Sequence, residues 1–203
     1  MITDNEDLLR KTILHQIEDS IKLKEFLITQ IDVLVAIAKE IVVSFERGNK
    51  VLVFGNGGSA ADAQHIVAEL VGKFYRERDP LPAIALTCNT SCLTSIANDY
   101  GYENTFSRQI RALAVKGDLV IGISTSGNSI NVLRGFEVAR KLGVKTVALV
   151  GKRLKDPGLA DYVISLPSRD TPRIQEAHIT AGHLICFIIE EMMYYSSNNK
   201  KEN

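Results

Sequence analysis

From Asp7 to about Arg47 the chain has no proline or glycine, and its apolar residues return at helical spacing. Leu8, Leu9, Ile13, Ile17, Ile21, Leu23, Phe26 and Leu27 mark one stretch, and Ile31, Leu34, Ile37, Ile41 and Val42 a second. The pattern predicts two helices, or one long bent one. Such an arm has to bury its apolar face, either against its own domain or against a partner subunit, and the sequence leaves both open.

After Gly48 the pattern changes. Short apolar runs, "KVLVF", "PAIAL", "DLVIGIS", "VKTVALV" and "DYVISL", read as five buried strands. Helical stretches fall between them: "SAADAQHIVAELVGK" with Ser59 as N-cap, "TSCLTSIAND", "NTFSRQIRALA", and "SINVLRGFEVARKLG" capped by Ser129 and closed by Gly143. A last helix is expected from about Pro172 to Tyr195, followed by a polar, frayed tail. Alternating strands and helices imply parallel βαβ units. The expected fold class is α/β, a three-layer αβα sandwich around a five-stranded, doubly wound parallel sheet. We expect an arm over 1–48, one domain over 49–195 and a tail over 196–203. In such sheets ligands bind outside the carboxyl ends of the strands, which singles out the loops after the first and third strands.

Composition narrows the classes. The 203 residues carry 24 Lys+Arg against 24 Asp+Glu, a balance that argues against nucleic acid or an anionic membrane as the main partner. No apolar run reaches membrane-spanning length, and the N-terminus does not read as a signal peptide. Three cysteines without a C-x-x-C pair, Cys88, Cys92 and Cys186, suggest reduced thiols in a cytoplasmic protein.

The loop after the first strand reads "GNGGS". Gly55, Gly57 and Gly58 do not have dinucleotide-binding or P-loop spacing. Two readings stay open. The glycines can serve a tight turn with positive φ, or they can let an anion approach the start of a helix. The loop after the third strand, "STSGNS", crowds hydroxyls at the end of a buried strand, where hydroxyls and amides together can hold one phosphate without a lysine.

His65 and Glu69 are four apart and share a helix face. On the last helix Gln175 and His183 are eight apart, close to two turns but with a rise of about 12 Å. Spacing alone does not establish a metal site. An i, i+4 His–Glu pair is commonly a surface pair, and His183 lies in an apolar stretch. His178 competes with His183, while His15 on the arm reads as structural.

Taken together, "GNGGSAADAQHIVAEL", "ANDYGYENTFSRQ", "GISTSGNS" and "RIQEAHITAGH" resemble the phosphoheptose isomerase family of sugar-isomerase (SIS) proteins, over roughly residues 7 to 195. The resemblance implies a flavodoxin-like SIS fold in a cytoplasmic homotetramer, with active sites near subunit boundaries. It implies one zinc ion per subunit, held by His65, Glu69, Gln175 and His183. It places substrate at Asn56, Gly57, Gly58, Ser59, Glu69, Asn98, Asp99, Ser124, Thr125, Ser126, Ser129 and Gln175. Catalysis would fall to Glu69 as base and His183 as acid, with Asp99 assisting. The implied reaction is aldose–ketose isomerisation of sedoheptulose 7-phosphate, leading to nucleotide-activated heptose for a surface polysaccharide such as lipopolysaccharide or capsule. The alternative is a non-enzymatic phosphosugar-binding regulator or adaptor of the same fold. Pro172 and Asn89 stand where family members can have Asp, so no role of those carboxylates is carried over.

Overall fold

The computed structural model describes residues 2–199; of the expected tail, 200–203 lie outside the described residues. The arm is two helices, α1 (Ile2–Phe26) and α2 (Ile31–Glu46), joined by a 3-10 turn over Leu27–Gln30. Then follow β1 (Val51–Gly55), α3 (Gly58–Val71), β2 (Ala83–Ala85), α4 (Thr90–Tyr100), α5 (Thr105–Leu113) and β3 (Leu119–Ser124). The chain continues through α6 (Ile130–Lys141), β4 (Lys145–Val150), β5 (Tyr162–Ser165) and α7 (Thr171–Asn199). The last helix thus starts one residue before Pro172 and runs past Tyr195.

All five strands are parallel, in the order β2-β1-β3-β4-β5. β1 and β3 are buried along their whole length, as their unbroken apolar runs require of strands covered on both faces. One face packs against α2, α3 and α7 through residues such as Ile37, Ile41, Ile66, Ile121 and Ile185. The other packs against α5 and α6, where Phe54 meets Phe106 and Phe136 with ring centroids 5.1 and 5.7 Å away.

The two open readings of the arm divide between its helices. α2 buries Leu34, Ile37, Ala38 and Ile41 on its own domain. α1 is anchored by Leu23 near its C-terminal end, by Leu27 of the following turn and by a bond from Arg173 to the Gln16 carbonyl, and it leaves Leu9, Ile13, Leu14, Ile17 and Ile21 each half or more exposed.

The strand order reverses direction between β1 and β3, and in this topology ligands bind at that switch point. The loops that leave the two strands there are "GNGGS" and "STSGNS".

Candidate functional site

The first loop fits the turn reading of its glycines and adds a second use for bare backbone. Gly57 sits at φ 56°, ψ −122° at the N-cap of α3, a left-handed φ that favours glycine. Gly58 is the first residue of the helix, and a Cβ there would collide with the side-chain amide of Gln175. The chain therefore needs bare backbone at Gly58 so that α7 can lay a polar side chain across the mouth of α3. The expected capping by Ser59 is corrected. Ser59 lies inside the first turn, 3% exposed, and the cap position belongs to Gly57.

The second loop gathers its hydroxyls. Ser124 Oγ, at the end of β3, lies 3.0 Å from Ser129 Oγ and 3.4 Å from Ser126 Oγ. Ser129 occupies the N-cap position of α6 but makes no side-chain capping bond. The expected cap is therefore corrected too: the hydroxyl faces Ser124 instead of its own helix amides. Neutral donors converging beside a helix N-terminus are chemically suited to an anion such as a phosphate.

Asn56 connects the two loops. Its side-chain amide exchanges hydrogen bonds with that of Asn131, 2.8 Å in each direction, and its Oδ1 also accepts from Tyr102 Oη at 2.8 Å. Asn56, Tyr102, Ser129 and Asn131 line a cavity of about 350 Å³. Asn131 and Tyr102 were not expected from sequence, because the contacts that recruit them span 75 and 46 residues.

α3 and α7 lie side by side with their starts together. Gly58 faces Gln175, and seven and eight residues further on His65 faces His183. His65 Nε2 lies 3.1 Å from Glu69 Oε1 and 3.3 Å from His183 Nε2. The ligand atoms of His65, Glu69 and His183 all fall within 4.8 Å of one another. Donors about 2.0–2.1 Å from a tetrahedral zinc stand about 3.3 Å apart, and two imidazoles with a carboxylate are a zinc-type set. The three residues fit such an ion. Gln175 lies two turns earlier on α7, over Gly58. Phe74 covers His183, with ring centroids 5.5 Å apart.

The loop carrying Phe74 is fixed from α7. Glu190 accepts from the amides of Phe74, Tyr75 and Arg76 and from Arg78 Nε. Burial pushes its carboxyl up, but those amides and the Arg78 guanidinium outweigh it and hold the group below the usual glutamate range. Arg78 in turn donates to the carbonyls of Glu69 and Leu70.

Other expected residues fall elsewhere. Asn98 and Asp99 are exposed near the end of α4, bonded to each other at 2.7 Å. His178 faces the core at 0% exposure with no hydrogen-bond partner on either ring nitrogen among the described residues, and the cluster is His65, Glu69 and His183. Burial drives its pKa down to about 4, opposed by the Val150 carbonyl, which does not reach hydrogen-bond geometry. His15 is exposed on α1 beside Glu18 and Asp19. Asp62, one turn before His65, is an additional carboxylate at the site. Burial raises it to about 6 against the opposing effect of His65, and its Oδ2 has no hydrogen-bond partner among the described residues. Its i−3 spacing from His65 is the signal that could have found it.

Comparison with known proteins agrees with this geometry. The SIS domain profile matches residues 16–151. Phosphoheptose isomerase of Aquifex aeolicus is 56% identical over 161 residues, 79% of this chain and 84% of that protein. That of Thermodesulfovibrio yellowstonii is 47% identical over 199 residues, 97% of each. The solved phosphoheptose isomerase of Neisseria gonorrhoeae superposes with a TM-score of 0.84 at 37% identity, over 90% of this chain and 99% of that one.

Proposed function

The chain belongs to the phosphoheptose isomerases of the SIS-domain family, and from that premise we infer that it interconverts sedoheptulose 7-phosphate and D-glycero-D-manno-heptose 7-phosphate. The observation that carries this reading is the presence in one fold of a hydroxyl-lined loop after β3 and a His–Glu–His cluster between the paired helices α3 and α7. A phosphosugar-binding regulator needs the first and has no use for the second.

In aldose–ketose isomerisation a base removes the C1 proton of the ketose to give an enediol, a proton returns to C2, and a hydroxyl proton moves between O1 and O2. Ser124, Thr125, Ser126 and Ser129 hold the phosphate, so that its binding energy positions C1 and C2. The bare backbone of Gly57 and Gly58, with Ser59 behind it, lets the sugar approach α3. Asn56, held by Asn131 and Tyr102, presents a fixed amide to the sugar chain. We assign Glu69 as the base at C1 and His183 as the group that moves the proton at the sugar oxygen.

His65, Glu69 and His183 would hold one zinc ion per subunit, with Gln175 as the fourth ligand by family resemblance. When bound, zinc would supply Lewis-acid polarisation of the C1 and C2 oxygens, worth several kcal/mol. A carboxylate that ligates a cation is a weaker base, so the two duties of Glu69 fall at different points of turnover.

The exposed apolar face of α1 supports a homotetramer, in which a neighbouring subunit covers Leu9, Ile13, Ile17 and Ile21. Asn98 and Asp99, exposed near the end of α4, would then reach a site across the boundary. No described helix is long and apolar enough to cross a membrane. We place the enzyme in the cytoplasm, where its product feeds nucleotide-activated heptose for a surface polysaccharide.

Proton NMR of sedoheptulose 7-phosphate with the protein in D₂O, with zinc or with a chelator, tests the reaction. A new aldose anomeric signal with deuterium at C2, lost on chelation, is expected. An unchanged spectrum with folded, zinc-loaded protein overturns the assignment.

A further inference from the structure

A second cavity adjoins the phosphate seat and shares Thr125 and Ser126 with it. Its volume is about 660 Å³, and its walls carry Lys152, Arg153, Lys155 and Arg169 but no carboxylate. None of the four cations has an ion-pair partner among the described residues. The nearest acid after Lys155 in the chain, Asp156, accepts from the Gly158 amide. Thr125 and Ser126, from the hydroxyl loop, form the adjoining wall. Thr171 opens α7 onto the same space, with Asp170 before it at the start of the helix, where its carbonyl accepts from Ile174 N.

The basic segment is fixed in place. Lys155 N donates to Gly127 O at 3.0 Å, and Ser165 Oγ donates to the carbonyls of Gly151 and Lys152 at 3.0 and 2.8 Å. Leu154 is buried between the exposed Arg153 and Lys155. The two loops touch backbone to backbone: a Cβ on Gly127 would strike the Arg153 carbonyl, and one on Gly151 the Thr125 carbonyl. The cavity thus stands in fixed register with the hydroxyl seat.

The substrate leaves this cavity free. Thr171 and His183 are twelve residues apart on one helix, about 18 Å, and a sugar reaching from the hydroxyl loop toward the cluster runs away from the Thr171 end. One phosphate monoester carries at most about −2, and the seat already satisfies it with neutral donors. Four unpaired cations on the adjoining wall match a further phosphate bonded to the first.

We propose that this cavity binds the second phosphate of a diphosphate ester whose first phosphate occupies the Ser124–Ser129 seat. The remaining volume takes the ester's organic group. Such a ligand competes with the phosphosugar, so the site makes the enzyme sensitive to diphosphate esters. The proposal rests on the reading of the hydroxyl loop as the phosphate seat.

The probes are uridine diphosphate and uridine monophosphate, titrated calorimetrically into the zinc-loaded full chain, with zinc content checked afterwards. The diphosphate is expected to bind at least about tenfold more tightly than the monophosphate, an advantage that shrinks with added salt. In the K152Q/R153Q/K155Q variant the advantage falls to about twofold or less, while turnover of sedoheptulose 7-phosphate at low ionic strength stays within about twofold of wild type. Equal binding of the two probes to wild type, or an advantage that survives neutralisation, overturns the proposal. Binding is read without turnover. A chain that favours the diphosphate but does not isomerise the ketose sinks the isomerase reading alone; an active chain that shows no preference sinks this one alone.

Discussion

His65 Nε2 and His183 Nε2 stand 3.3 Å apart although 118 residues separate them in the chain. Two neutral imidazoles can share only one proton across that gap, whereas a cation satisfies both together with Glu69. His183→Ala is therefore expected to lower zinc content and to cut turnover by at least about 100-fold, with the far-ultraviolet circular dichroism unchanged. Metal analysis and the isomerase assay check this together; full zinc occupancy in the variant would remove His183 from the metal set.

Gly58 and Gln175 make a second tight pair. Any side chain at Gly58 displaces the Gln175 amide, so Gly58→Ala is expected to act through Gln175. A loss of about 1.4–2.7 kcal/mol of transition-state binding, or roughly 10- to 100-fold in kcat/KM, should result. Gln175→Ala should cost about the same, and the double variant no more than either single one. Additive losses would show that the two residues act separately.

The strands and their helices were legible in the sequence because short, largely apolar runs bounded by glycine, proline or polar residues have few other uses in a chain of this size. The switch point followed from them. The two helix caps were not legible. Ser59 and Ser129 satisfy the local capping rule, but tertiary contacts decide otherwise: Gly57 carries the turn, and Ser124 draws the Ser129 hydroxyl away. The His–Glu half of the cluster shows as an i, i+4 pair. Its other half depends on α3 and α7 lying parallel in register, and helical periodicity on each strand of sequence says nothing about that. Asn131 was hidden for the same reason, since its importance lies in a contact to Asn56 across the switch point.

That contact gives a third prediction. Asn131 is 3% exposed and pairs with Asn56 through both amide groups. Asn131→Ala leaves Asn56 with Tyr102 as its only fixed partner, and a loosely held Asn56 binds the sugar less well. KM is expected to rise about tenfold with a smaller change in kcat. Tyr102→Phe removes one bond to the same oxygen and should give a milder rise. A variant with wild-type KM would show that Asn56 does not meet the sugar.

The exposed face of α1 gives a fourth. Ile13 and Ile17 are 59% and 52% exposed and one turn apart, and each fully buried aliphatic side chain contributes about 1.5–3 kcal/mol to an interface. Ile13→Glu with Ile17→Glu should break the assembly while leaving α2 and the sheet intact. Light scattering after size exclusion is expected to show a smaller particle, and activity should fall with it if Asn98 and Asp99 serve a neighbouring site. A wild-type particle that already has the mass of one chain would refute the assignment of this face.

Glu190 gives the last, through pH. Its side chain is 2% exposed and paired with Arg78, 13% exposed, and its folded carboxyl is held below the ordinary range. In the unfolded chain a glutamate titrates near about 4.3. Between the two values the unfolded state binds the extra proton, so stability rises with pH across that window. The contribution is fully present above the unfolded value and is lost as pH falls through the folded one. Glu190→Gln removes it and leaves the half-buried Arg78 without its carboxylate partner, at a cost of about 2–3 kcal/mol at neutral pH. Urea unfolding of wild type and variant should therefore differ most at pH 7, and the difference should narrow steadily below about pH 4. A difference independent of pH would mean that the glutamate acts by shape alone. The same change takes the carboxylate from Arg78 Nε, leaving the guanidinium held by the Glu69 and Leu70 carbonyls alone on that side, and loosens the loop that places Phe74 over His183. Zinc affinity of the variant at pH 7 is accordingly expected to fall about tenfold, within the range seen for residues that support metal ligands.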